Sequence, residues 1–224
     1  MSAKERTLKL PDGSTVSALW HKPKNAKAVL VLAHGAGAGM THKNMAATAD
    51  GLEERGVAVL RYNFPYMEKG SSRPDNPLIA HAAVRAAITD AAKLAVDLPL
   101  FAGGRSFGAR MTSQAQALEP LAKVHGLVFF AWPLHAPGKP GVDRAEHLAA
   151  VNIPMLFLQG TKDEFAGLDL LKATTKSLAR RATLHLVDRA DHSFHVAAKT
   201  GRKDPEVLAE ILDVSRDWML KNSA

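Results

Sequence analysis

Ser106 stands at the centre of Gly104-Arg105-Ser106-Phe107-Gly108, between an apolar stretch at 98–102 and a segment in which Met111, Ala115 and Leu118 recur at helical spacing. A serine on a tight strand-to-helix turn is held out above a sheet. The flanking glycines let the main chain turn there without a Cβ clash. That is the setting of a nucleophile for acyl chemistry, yet a neutral hydroxyl attacks poorly until a base takes its proton. The five-residue pattern is weak alone, so the rest of the chain must supply a base and an acid.

In open parallel sheets, ligands meet the loops at the carboxyl ends of strands. Three further loops of that kind carry reactive groups: His34-Gly35-Ala36-Gly37-Ala38-Gly39 after the apolar run 28–33, Asp163 after 155–160, and His192 after 183–187. The order serine, acid, histidine is the one found in Gly-x-Ser-x-Gly hydrolases. Ser106 would attack a carbonyl carbon, His192 would take and return the proton, and Asp163 would orient the imidazole.

Each assignment has a competitor. Glu164 adjoins Asp163, and Asp188 and Asp191 lie near the histidine, but only Asp163 and Glu164 fall in the loop after the preceding strand. His195 competes with His192 and could instead touch substrate. His34, at a strand end, reads as structural. Asp191-His192-x-x-His195 lacks a third ligand at telling spacing, so no metal is expected. Gly35, Gly37 and Gly39 lack the offset and the following acid of a dinucleotide loop, so no cofactor is expected. The irregular segments 66–74 and 132–141 place Tyr66, Met67 and Trp132 either along an acyl pocket or in the core. Arg105, beside the nucleophile, would bias the site toward anions.

These loops need a scaffold. Runs at 7–10 and 16–20 flank the turn Pro11-Asp12-Gly13-Ser14 and predict a β-hairpin. Strands at 28–33, 57–62, 100–103, 124–130, 155–158 and 183–187 then alternate with helices at 44–55, about 77–96, after Ser106, and 167–180. Asn76-Pro77 reads as a cap and first-turn proline. A closing helix capped by Asp204-Pro205 carries Leu208, Ile211, Leu212, Ser215, Trp218 and Met219 near one face. Strands apolar throughout, alternating with helices, predict a mostly parallel sheet covered on both sides.

Composition narrows the class. The 224 residues are 46% hydrophobic and 23% charged, as in ordinary globular proteins. The net charge of +7 comes from 29 Lys and Arg spread among 22 Asp and Glu, without a basic run interleaved with aromatics, so no nucleic-acid partner is expected. There is no cysteine, which leaves Ser, His and carboxylates to do the chemistry. The charged N-terminus lacks a secretory pattern and no apolar run is long enough for a bilayer, so neither membrane nor export is expected and the cytoplasm is the default.

Taken together, His34-Gly35-Ala36-Gly37, Asn63-Phe64-Pro65, Gly104-Arg105-Ser106-Phe107-Gly108, Gly160-Thr161-Lys162-Asp163-Glu164 and Ala190-Asp191-His192-Ser193-Phe194 resemble the α/β-hydrolase superfamily over nearly the whole chain, in its compact dienelactone-hydrolase-like branch. The resemblance implies the α/β-hydrolase fold over one domain, 1–224: a mostly parallel sheet of about eight strands flanked by helices, with no separate cap domain. It also implies a serine triad and an oxyanion hole from the backbone N–H groups of Phe107 and Ala36, donors often worth about 3 kcal/mol each. The loop reads His-Gly-Ala-Gly rather than His-Gly-Gly-Gly, which leaves the second donor open. The expected activity is hydrolysis of a small-molecule carboxylic ester or related acyl bond. The chain is also similar to hydrolase-like subunits of chromatin-modifying complexes, so the rival is a catalytically silent interaction module.

Overall fold

Two alternating runs pair as an antiparallel hairpin, β1 (Lys4–Lys9) and β2 (Thr15–His21), at one edge of a sheet in a computed structural model that describes residues 3–223. The apolar runs that follow become parallel strands: β3 (Ala28–Ala33), β4 (Val57–Tyr62), β5 (Leu100–Arg105), β6 (Val124–Phe130), β7 (Met155–Gly160) and β8 (Ala182–Val187). The eight strands lie in the order β1-β2-β4-β3-β5-β6-β7-β8, with only the β1–β2 and β2–β4 pairs antiparallel.

Alternation along each strand sends successive side chains to opposite faces, and both faces are buried. On one, Leu30, Leu32, Val59, Phe101, Val128 and Leu156 pack with α1 (Lys43–Glu54) and α6 (Asp204–Lys221). On the other, Val31, Leu60, Ala102, Phe129 and Phe157 meet α3 (Pro77–Leu94), α4 (Phe107–Leu118) and α5 (Leu168–Ser177). A short helix, α2 (Pro65–Glu68), precedes α3. There is no separate cap domain. No helix among the described residues is long and apolar enough to cross a membrane.

The chain leaves β3 toward the α1 face and β5 toward the α4 face, so neighbouring strands diverge into opposite layers and a crevice opens above their ends. Three local expectations need correction. Leu118 does not join the core with Met111 and Ala115; it is 72% exposed at the last position of α4. The cap of α6 is Lys203, with Asp204 and Pro205 inside the first turn, where a missing N–H costs nothing. Helix α3 stops at Leu94, and Val96 is exposed. Asn76 does cap α3, its side chain accepting from the Ile79 N–H at 3.1 Å.

Candidate active site

Ser106 sits between β5 and α4 with φ 50° and ψ −113°, a left-handed conformation that costs a non-glycine residue energy and is retained where surrounding contacts over-determine it. Those contacts come from its glycines. A Cβ on Gly104 would lie 2.5 Å from the Ala33 carbonyl oxygen, and one on Gly108 would lie 2.6 Å from the carbonyl oxygens of both Ala33 and His34. Only bare backbone lets α4 close onto the end of β3. The Ser106 N–H donates to the Phe130 carbonyl at 3.1 Å, tying the turn to β6 as well.

The three separated loops meet there. The Ser106 hydroxyl lies 2.9 Å from His192 Nε2, and His192 Nδ1 lies 2.7 Å from Asp163 Oδ2. With the carboxylate as acceptor, Nδ1 carries the proton and Nε2 is free to accept from the hydroxyl. Asp163 is 5% exposed; its Oδ1 also accepts from the Phe165 N–H at 2.8 Å and its Oδ2 from the Gln159 amide. The competing carboxylates are placed otherwise. Glu164 and Asp188 are exposed, and Asp191 accepts from the N–H groups of Ser193 and His195, folding the histidine loop on itself.

The loop after β3 comes within van der Waals reach of Ser106, a Cβ on Gly35 falling 3.6 Å from that of the serine. Neither the Ala36 nor the Phe107 backbone N–H donates to an acceptor among the described residues. His34 is fully buried and fixes this loop. Its Nδ1–H donates to the Gly35 carbonyl at 2.8 Å, and its Nε2 accepts from the Phe64 N–H at 3.0 Å. Burial pushes its pKa down to about 4, so the ring is neutral at ordinary pH and fits the structural role expected of it.

The other expected residues are distributed unevenly. Tyr66 is buried among Phe64, Phe107 and His34, its hydroxyl 3.4 Å from the Gly35 carbonyl, and burial raises its phenol pKa. Met67 is half-buried with its terminal methyl against Gly39. Trp132 is fully buried and packs on Phe157 and His147, so of its two expected settings it takes the core. His195 bonds to Asp204 at 2.8 Å, and the Ser106 hydroxyl is bonded to His192 instead. Arg105 donates from Nη2 to the His192 carbonyl at 2.9 Å.

Two contributors escape the sequence reading. Phe165 lays its ring 4.3 Å from that of His192, and Gln159 bridges the Asp163 carboxylate to the Trp132 N–H, 2.9 Å from its Oε1. The amide had a signal: one polar residue in the otherwise apolar strand Met155–Gly160. Among the described residues, His21, Asp50 and Glu53 bring possible metal-ligand atoms within 4.8 Å of one another. The Arg61 guanidinium donates to the same imidazole at 3.2 Å, and its charge opposes a cation there.

Comparison with known proteins agrees with this architecture. The alpha/beta hydrolase domain family matches residues 26–220. An alpha-beta serine hydrolase homologue from Coxiella burnetii superposes with a TM-score of 0.72 at 21% identity, over 100% of this chain and 99% of that one. A dienelactone hydrolase from Anabaena variabilis gives 0.78 at 16% identity over 100% of both chains. A serine hydrolase without a lid from Xanthomonas campestris gives 0.73 at 22% identity over 97% and 95%. At such identities the likeness is one of fold, and it is the compact fold that the motifs imply. By sequence and by architecture this chain belongs to the alpha/beta hydrolase domain family, a membership that supports hydrolase activity.

Proposed function

We propose that this chain is a serine hydrolase that cleaves a carboxylic ester or a related acyl bond through an acyl-enzyme on Ser106. The observation that carries the reading is the unbroken hydrogen-bonded line from the Ser106 hydroxyl through His192 to the buried Asp163. As the hydroxyl oxygen attacks the carbonyl carbon, its proton passes to His192 Nε2, and Asp163 stabilises the imidazolium that forms. The tetrahedral oxyanion faces the N–H groups of Ala36 and Phe107. Collapse expels the alcohol, which leaves with the proton from His192. Water then attacks the acyl-enzyme, giving one proton to His192. The acid departs as Ser106 recovers that proton, which restores the starting state.

A fluorophosphonate probe tests the nucleophile, since it labels a serine only where a base has activated it. The wild-type protein should label and turn over short-chain esters, and Ser106→Ala should do neither. A folded wild-type protein inert to probe and esters alike would sink the proposal and favour the interaction-module reading.

A further inference from the structure

A pocket of about 560 Å³ opens between the first turn of α1, the start of α6 and the loop after β8. Arg105 lines it. Strand alternation puts Arg105 on the same face of β5 as Phe101, so its side chain runs beneath the His192 loop rather than toward α4. Its one side-chain hydrogen bond among the described residues goes to the His192 carbonyl, and the Phe194 ring lies 5.4 Å from its guanidinium carbon. No carboxylate among those residues comes within ion-pair distance. Burial lowers its pKa while Asp163 and Asp191 act from further off to raise it, but a guanidinium keeps its charge in proteins. Largely buried charges are rarely left unpaired.

The rim adds to this positive balance. Lys43 opens α1 and supplies the cation at the rim; His42, whose Nδ1 accepts from the Asn44 N–H, and His195 also line the opening. The carboxylate in the lining, Asp204, already accepts from His195 Nδ1 and, at 3.0 Å, from the Val196 N–H. Phe194, Ala47, Leu208 and Ile211 supply an apolar stretch of the wall, beside the polar Asn44, Thr48 and Ser193.

We infer that this pocket binds a small organic carboxylate, its anionic head on Arg105 and Lys43 and its apolar body against Leu208 and Ile211. The volume suits a short-chain or aromatic acid. The binding itself does not depend on the hydrolase reading; its influence on turnover does, because Arg105 grips the main chain of the proposed base. Such a carboxylate has two sources, an acidic arm of the ester itself or a separate acid.

Calorimetry on Ser106→Ala, which removes turnover, compares benzoate with uncharged benzamide. Benzoate should bind at least about tenfold more tightly, and Arg105→Gln should weaken it by at least about tenfold, as expected for loss of a charge-assisted bond. Because Arg105 is largely buried, Lys43→Gln at the exposed rim provides a second variant, with a loss of about threefold or more, on the scale of an exposed ion pair. Equal affinity for both probes, or benzoate binding unchanged in Lys43→Gln, would overturn the inference. Steady-state kinetics then separates the sources. An acidic arm of the substrate predicts that Lys43→Gln raises KM for p-nitrophenyl hemisuccinate relative to p-nitrophenyl butyrate. A separate acid predicts that benzoate alters kcat on the butyrate without competing with it. Benzoate binding in a protein that fluorophosphonate cannot label would leave the pocket assigned and remove only the hydrolase reading.

Discussion

Replacing His34 by leucine removes a buried ring of similar bulk together with two hydrogen bonds, one to the Gly35 carbonyl within the loop after β3 and one from the Phe64 N–H that joins this loop to the loop after β4. At neutral pH the Phe64 N–H is left buried without a partner, a loss of about 1–3 kcal/mol. A second effect depends on pH. In the folded protein the imidazole has its pKa depressed to about 4 from an ordinary 6.5, so on acidification the unfolded chain takes up the proton first. The neutral ring's contribution is therefore present above the unfolded pKa and drains away as pH falls toward 4. Between these limits the slope approaches about 1.4 kcal/mol per pH unit, and roughly 2–3 kcal/mol is gone near pH 4.5. Leucine has nothing to titrate. Urea unfolding of both proteins at about pH 7.5 and about pH 4.5 measures the difference. The variant should be the weaker at the higher pH, and the gap should close by roughly 2–3 kcal/mol, or reverse, at the lower. His147, also pushed down to about 4 by burial, is present in both proteins and cancels. Stability differences that stay parallel across this range would refute the claim that His34 is held neutral. Ester turnover by the variant should also drop, by up to about 10²- to 10³-fold if the Ala36 N–H loses its aim.

Further outcomes follow from the same geometry. Asp163→Asn should cut kcat by roughly 10³- to 10⁴-fold because the amide no longer selects the required His192 tautomer, whereas Glu164→Gln should stay within about twofold in the same ester assay. Gly108→Ala would press a methyl to 2.6 Å from two carbonyl oxygens. It should lower the thermal midpoint by several degrees or prevent folding, as circular dichroism would reveal. Leu118→Lys, at a position 72% exposed, should change unfolding free energy by no more than about 0.5 kcal/mol despite its place in a helical apolar pattern.

Much of this molecule is legible one residue at a time. The strands Ala28–Ala33 and Val57–Tyr62 coincide with the apolar runs because Lys27 and Gly56 mark their starts and the polar His34 and Asn63 their ends. The three site loops were found because each follows such a run. What escaped depends on partners far along the chain. Trp132 belongs to the core because Phe157 and His147 close over it, and Phe165 meets His192 across 26 intervening positions, so no local period announces either. The 3-10 segment Asp143–Ala150 has no helical run long enough to declare itself, and packs mainly through Ala145 and Leu148. Leu118 misled for the opposite reason: its spacing fits a buried stripe, but it is exposed at the last position of α4.

The closure of α4 onto β3 at Gly104 and Gly108 leaves no room for a side chain at either position, so the turn that carries Ser106 is set by main-chain contact. Adaptation to new substrates must therefore fall to the surrounding rim, where segments such as 69–75 and 136–142 can change length or character without disturbing the chemistry. Anyone wishing to redirect this protein should leave that joint alone and diversify its borders.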